Sequence, residues 1–350
     1  MLYRIREVLA LLHTQGMRAA ASKAYKIREQ EIARSTKGLN ALVTVAFGMV
    51  YFFALLLVAP FCRAPGLPPR TRLLIHKLAA TYYYIPEAVL FKGIELDAAA
   101  QLPYEGTGLD LGCGNGFTGT VLKEAAHIDW LHGLDQVNNL AVPQTYASFT
   151  VGDARALPYP DASFDFVFSF GVIDHIPDLD PVLAQAARVL KDGGHLTFAI
   201  QTRVFRESSF WYRSYLKLGR ADLAKAYQDY RDVYDMIFHY LSESEWRAKL
   251  AHFGFPDVQI GYVFSSRQLF FYDVMNIQTA CLRFFFAQRA YERMRSRPWL
   301  QKPVAWAAAR IACSLMAQPA TKETATRYFI RATRRRLPHA ALSSAENGTT

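Results

Sequence analysis

Two kinds of hydrophobic pattern divide this chain of 350 residues. Residues 38–62 carry no charge, and the apolar run Ala41–Ala59 has about the length a bilayer requires, roughly 20 residues for 30 Å. Further on, short apolar runs alternate with segments of helical period. Leu109 and Leu111 end a first run, Trp130–Asp135 is a second, and Thr150 and Val151 close a third. Phe164–Phe170 is rich in aromatics, as a central parallel strand should be, and His195–Gln201 is a fifth strand. Phe117–Ala126 and Leu179–Leu190 have helical period, and Lys191-Asp-Gly-Gly194 breaks the second. Ser242-Glu-Ser-Glu245 forms a capping box that opens a helix through Phe253. Val258–Val263 then reads as a strand and Arg267–Tyr272 as the last, antiparallel one. Alternating strands and helices predict an α/β, doubly wound sheet.

The run Gly106-Thr-Gly-Leu-Asp-Leu-Gly-Cys-Gly-Asn-Gly116 joins the first strand to the first helix. Asp110 stands near the strand's carboxyl end, and Gly112, Gly114 and Gly116 let the backbone turn sharply. Unpaired N–H groups and a helix dipole then point into the crevice where a polar cofactor binds. Gly114-Asn-Gly116-Phe-Thr-Gly119 also fits the dinucleotide fingerprint G-x-G-x-x-G, so NAD competes. Against it, Asp110 would repel a pyrophosphate but favours a cationic sulfur donor.

These residues resemble the first motif of the class I S-adenosylmethionine (SAM)-dependent methyltransferases, an acidic residue followed by G-x-G-x-G. The resemblance extends over the later blocks. Asp135 ends the second strand, where the family accepts ribose hydroxyls, and Gly152-Asp153 resembles the turn whose Asp accepts from the adenine amino group. Gly171-Val-Ile-Asp-His-Ile-Pro177 resembles the loop after strand four. The order matches the small-molecule branch and implies a Rossmann-like sheet of seven strands with the last antiparallel. It assigns SAM to Asp110, Gly112, Cys113, Gly114, Asn115, Gly116, Asp135, Gln136, Gly152, Asp153, Ala154, Ser169 and Phe170.

Charge and length refine the organisation. Residues 1–37 carry a net +5, 270–336 a net +10, and 38–269 a net −4. A slightly acidic core between basic flanks fits contact with an anionic surface, lipid or nucleic acid, and a solvated basic face fits it too. The domains expected are a basic segment 1–37, a membrane helix 38–62, a lead-in 63–99, a methyltransferase domain 100–273 with a lid insertion 203–240, a basic helical extension 274–336 and a disordered tail 337–350. Val274–Arg297 reads as a helix carrying Arg289, Arg293 and Arg297 on one face, which suits an interfacial helix. Pro303–Ala317 adds a second. The four cysteines stand far apart, with no metal-ligand spacing, and read as reduced thiols. Cys113 receives no nucleophilic role.

Methyl transfer requires a nucleophile held close to the methyl carbon and shielded from water. The insertion 203–240 holds ten Phe, Tyr and Trp that read as a lid over an apolar acceptor, or as a cap that closes the core. A hydroxyl acceptor is helped by a base; His175 is the first candidate, Asp174 the second and His239 the third. The first reading is a membrane-associated methyltransferase of an amphipathic small molecule such as a lipid, lipid-linked sugar or quinone. Its catalytic domain faces the cytoplasm, where SAM is made. A nucleic-acid methyltransferase and a non-catalytic SAM-binding protein are the alternatives. The loop Ser169-Phe-Gly-Val lacks the prolines usual in enzymes that methylate base amino groups. Neither the acceptor nor the oligomeric state is readable.

Overall fold

The structure, a computed structural model, describes residues 53–82, 86–285 and 297–335. The segment 1–37, residues 41–52 of the apolar run, Arg289, Arg293 and the tail 337–350 lie outside them. The described residues form two compact units: 98–200, 239–261 and 328–335 make one, and 53–97, 201–238 and 262–327 the other.

The first unit holds β1 (Thr107–Leu111), β2 (Trp130–Asp135), β3 (Ser148–Val151) and β4 (Phe164–Phe170). β5 (Leu190–Gln201), β6 (Asp257–Ser265) and β7 (Ala325–Thr333) complete one seven-stranded sheet of order β3-β2-β1-β4-β5-β7-β6. β1 pairs in parallel with β2 and β4, as do β2 with β3 and β4 with β5. β7 is antiparallel: Arg334 N donates to Gly194 O, whereas Thr202 N donates to Thr326 O. The predicted Rossmann-like sheet is therefore present.

Three helices of this unit cover the strands: α1 (Phe117–Ala125), α2 (Asp180–Val189) and α3 (Glu243–His252). Ser242 caps α3 with the reciprocal Ser–Glu245 bonds predicted from sequence. Trp246 on α3 is fully buried with its ring 5.3 Å from Phe198 of β5. The predicted break Lys191–Gly194 lies within β5 instead of before it. Leu190 pairs with Phe164 and His195 with Phe166, so the four residues between bulge out of register.

One sequence expectation is corrected. Arg267–Tyr272 is not the last strand but lies in a helix, α4 (Ser266–Phe285). Ser265 Oγ accepts from Gln268 N at 3.3 Å while Gln268 Oε1 accepts from Ser265 N at 2.7 Å, a capping box that starts the helix. The last strand is β7, inside the segment expected to be helical. Its Arg327 is 1 % exposed and pairs with Glu95 at 2.8 Å, with its guanidinium 4.5 Å from the Phe91 ring centre. A buried arginine in a strand requires such partners.

The apolar segment 38–62 lies only in part among the described residues. Among the described residues no helix is long and apolar enough to cross a membrane. Residues 53–58 are helical and end in a 3-10 turn, Ala59–Phe61. The rest of this unit is helical: α5 (Pro69–Tyr82), α6 (Pro86–Ala99), α7 (Arg203–Ser208), α8 (Phe210–Lys217), α9 (Ala221–Asp235) and α10 (Pro298–Met316). The insertion 203–240 is thus helical as predicted. Arg231 of α9 is buried against Asp273 of α4 at 2.9 Å, and Asp273 accepts from Phe210 N at 2.8 Å. That network ties α8 and α9 to α4.

Candidate cofactor and methyl-transfer site

The parallel register places the three carboxylates at the carboxyl ends of adjacent strands. Asp110 on β1 aligns with Gly133, two residues before Asp135 ends β2, and Asp135 aligns with Val151, two residues before Asp153. All sequence-expected cofactor residues stand at this one edge.

The turn after β1 is a cradle of backbone. Gly112 and Cys113 both donate their N–H to Leu134 O, which locks the turn onto β2. Gly112, Gly114 and Gly116 have φ of 81°, 55° and 82°, a region that glycine enters without penalty. A Cβ on Gly112 would come within 2.3 Å of Val172, so glycine there lets the loop after β4 close in. A Cβ on Gly114 would meet nothing within 4 Å, so this stretch of backbone is open to a ligand. Gly116 caps α1, whose first turn lies at the cradle's rim. Asn115 Oδ1 accepts from Phe117 N at 3.1 Å, and Asn115 O from Ala141 N at 2.9 Å.

The carboxylates differ in environment. Asp135 accepts from Gly114 N at 2.8 Å and from Val137 N at 3.1 Å, which aims it across the cradle. Gln136 lies between them, exposed. Asp153 is gripped by Arg155 through Nη2 at 2.6 Å, Nε at 3.0 Å and the amide at 2.8 Å. These bonds hold its carboxyl below the usual range. Ala154 beside it is buried. Asp110 is buried at 2 % exposure and accepts from the Tyr146 hydroxyl at 2.7 Å. Tyr146, on the loop between β2 and β3, was not anticipated; nothing local in its sequence marks it. Gly119 was seen only as a third fingerprint glycine. A Cβ there would stand 2.2 Å from Tyr146 Oη and 2.8 Å from Asp110 Oδ2, so its absence admits the pair.

Cys113 is buried, and burial with the charges of Asp110 and Asp135 pushes its thiol up to about 12. It stays protonated and is no nucleophile. Ser169 is fully buried and donates to Leu111 O at 2.8 Å, so its hydroxyl joins β4 to β1. Phe170 stacks on Phe329 with ring centres 6.0 Å apart.

The loop after β4 holds two of the proposed proton acceptors on a 3-10 turn, Ile173–His175. Asp174 is 1 % exposed, whereas the His175 side chain is 36 % exposed. Their closest charged atoms, His175 Nε2 and Asp174 Oδ1, stand 3.9 Å apart. His175 is therefore the member presented to solvent. His239 Nε2 donates to Ile176 O at 2.8 Å, which fastens it to the same loop. Burial lowers its pKa, and the bond to Ile176 only partly offsets this.

Comparison with known proteins adds identity. Residues 109–198 match the family described as "Methyltransferase domain". The chain is 38% identical over 98 residues to 27-O-demethylrifamycin SV methyltransferase of Amycolatopsis mediterranei, 25% of this chain and 36% of that one. It is 29% identical over 168 residues to demethylmenaquinone methyltransferase of Shouchella clausii, 43% of this chain and 71% of that one. It is also 35% identical over 104 residues to 2-methyl-6-phytyl-1,4-hydroquinone methyltransferase of Synechocystis, 28% of this chain and 33% of that one. The chain thus spans about a third of two of these relatives and more of the third. Residues 109–198, which are similar to a methyltransferase domain, lie within the unit that carries the cradle.

Proposed function

We propose that the protein is a methyltransferase that uses SAM to methylate an amphipathic small molecule, with a quinone-like ring or lipid as acceptor. The observation that carries this is the cradle: three adjacent strand tips bearing Asp110, Asp135 and Asp153 around a glycine turn open at Gly114. The donor set fits SAM. Carboxylates suit a cationic amino acid and ribose hydroxyls and would repel a pyrophosphate.

SAM supplies the methyl group on a positively charged sulfur. The residues of this chain supply the rest. Gly114 and Asp135 would hold the nucleoside, Asp153 its base, and the buried Asp110 the cationic end. His175, half-buried on the loop after β4, would take a proton from a hydroxyl acceptor as it is methylated. The apolar acceptor is supported by two relatives whose names specify a quinone and a phytyl hydroquinone. The ten aromatics of residues 203–240 are the sequence's own indication of an apolar acceptor. Membrane association is supported by the uncharged run 38–62 and the basic flanks, and a cytoplasmic catalytic domain by the place where SAM is made.

Incubating the purified protein with methyl-labelled SAM and total cell extract tests this reading. Label is expected in the organic phase. Label confined to nucleic acid would overturn the acceptor class. No label, together with no heat on titration with SAM, would overturn the enzyme reading itself.

A further inference from the structure

Residues 53–82 and 297–316 hold seven Lys or Arg and no Asp or Glu. They are packed together. Leu55 and Ala59 bury against Val304, Ala307 and Ile311, and Arg310 donates to Ala59 O at 3.0 Å and Cys62 O at 2.9 Å. Gln301 reaches Ala80 O on α5 at 3.3 Å.

The outer faces have an unusual composition. Every exposed residue from 53 to 61 is apolar: Phe53, Ala54, Leu57, Val58, Pro60 and Phe61, with Phe61 83 % exposed. α5 presents Arg70, Leu73 and Lys77 at i, i+3 and i+7, and Leu73 is 71 % exposed. α10 repeats the spacing with Trp299, Lys302 and Trp306, Trp299 being 72 % exposed. Arg310 continues that row, its guanidinium 5.4 Å from the Trp306 ring centre. Large apolar groups interleaved with cations, on two segments without acids of their own, are what an amphipathic helix offers to the boundary of headgroups and acyl chains. Tryptophan favours that depth, and lysine and arginine favour anionic headgroups.

We propose that residues 53–82 and 297–316 form a docking surface for an anionic bilayer. The inference deepens the membrane association proposed above by naming its surface, and it does not depend on methyl transfer. A phosphate backbone would use the cations but leave Leu57, Val58 and Phe61 in water. A second copy of the surface would bring like charges together.

Sedimentation of the full chain with vesicles of phosphatidylcholine, with and without phosphatidylglycerol, tests the proposal. Binding is expected to prefer the anionic vesicles and to weaken with salt. Leu57→Asp with Phe61→Asp, and separately Arg70→Glu with Lys77→Glu, are expected to weaken partitioning about tenfold or more. Wild-type partitioning by both variants would overturn the proposal even if the chain still binds through other residues. Should the substitutions prevent folding, brominated phosphatidylcholine in the anionic vesicles provides a second reading. Bound protein is expected to lose tryptophan emission, and Trp299→Phe with Trp306→Phe to abolish that loss. Full binding without quenching would overturn it. Heat of SAM titration, expected unchanged in every variant, separates this surface from the methyltransferase reading.

Discussion

The Tyr146 hydroxyl donates to Asp110 Oδ2 at 2.7 Å, and Gly119 is the residue whose missing side chain makes room for the bond. A loop residue between β2 and β3 therefore orients the carboxylate of the glycine motif. Gly119→Ala is expected to separate the pair. A buried carboxylate short of a donor costs about 1–3 kcal/mol, which urea unfolding would read. SAM affinity should fall with it. Tyr146→Phe is expected to reproduce the loss without the steric clash, and unchanged SAM affinity in both variants would remove Asp110 from the site.

Asp135 accepts from two backbone amides and faces the cradle. Asp135→Asn keeps the shape but loses the charge. Hydrogen bonds to a charged group contribute about 1.5–3 kcal/mol, so calorimetry should find SAM bound roughly ten- to a hundredfold more weakly. Equal affinity would show that this carboxylate does not hold the ribose.

His175 is the more exposed partner on the loop after β4. With a hydroxyl acceptor, His175→Gln is expected to lower kcat by about 10²-fold or more while the Kd for SAM stays the same. Loss of SAM binding with kcat preserved at saturation would make it a cofactor contact instead.

Glu95 and Arg327 form an ion pair in which both side chains are nearly inaccessible. Glu95→Gln leaves the guanidinium buried without its counter-charge, and an uncompensated buried charge costs about 3–5 kcal/mol. A drop of that size in unfolding free energy is expected. A drop below about 1 kcal/mol would mean that Arg327 reaches water.

Burial lowers the pKa of His239 from 6.5, so the unfolded chain takes up this proton first as the solution is acidified. Its contribution to stability is complete above pH 6.5 and is lost as pH falls through the folded value. His132 and His195 shift in the same direction by the same cause. Unfolding free energy is therefore expected to decline on acidification below 6.5, and His239→Gln should flatten that decline.

What could be read from the sequence was local. The glycines at 112, 114 and 116, the acids at strand ends, and the Ser242–Glu245 box act within a few residues of themselves, so their order in the chain suffices to place them. β4, buried along most of its length, was legible as a short run rich in aromatics. β7 was not, because Arg327 and Arg331 make it look like a solvated basic segment. Glu95 and Phe91, more than 230 residues earlier, are the partners against which Arg327 is buried. Arg267–Tyr272 reads as a strand, whereas the Ser265–Gln268 bonds that open α4 are seen only in the structure. Tyr146 shows the same division at the site: its partner lies 36 positions away, and the pairing exists only once β1 and β2 are side by side. The chain alone thus determined the cradle and the order of its strands, through short-range patterning. Which polar groups are buried, and against what, was decided by tertiary structure, because desolvation depends on neighbours that distant parts of the chain supply.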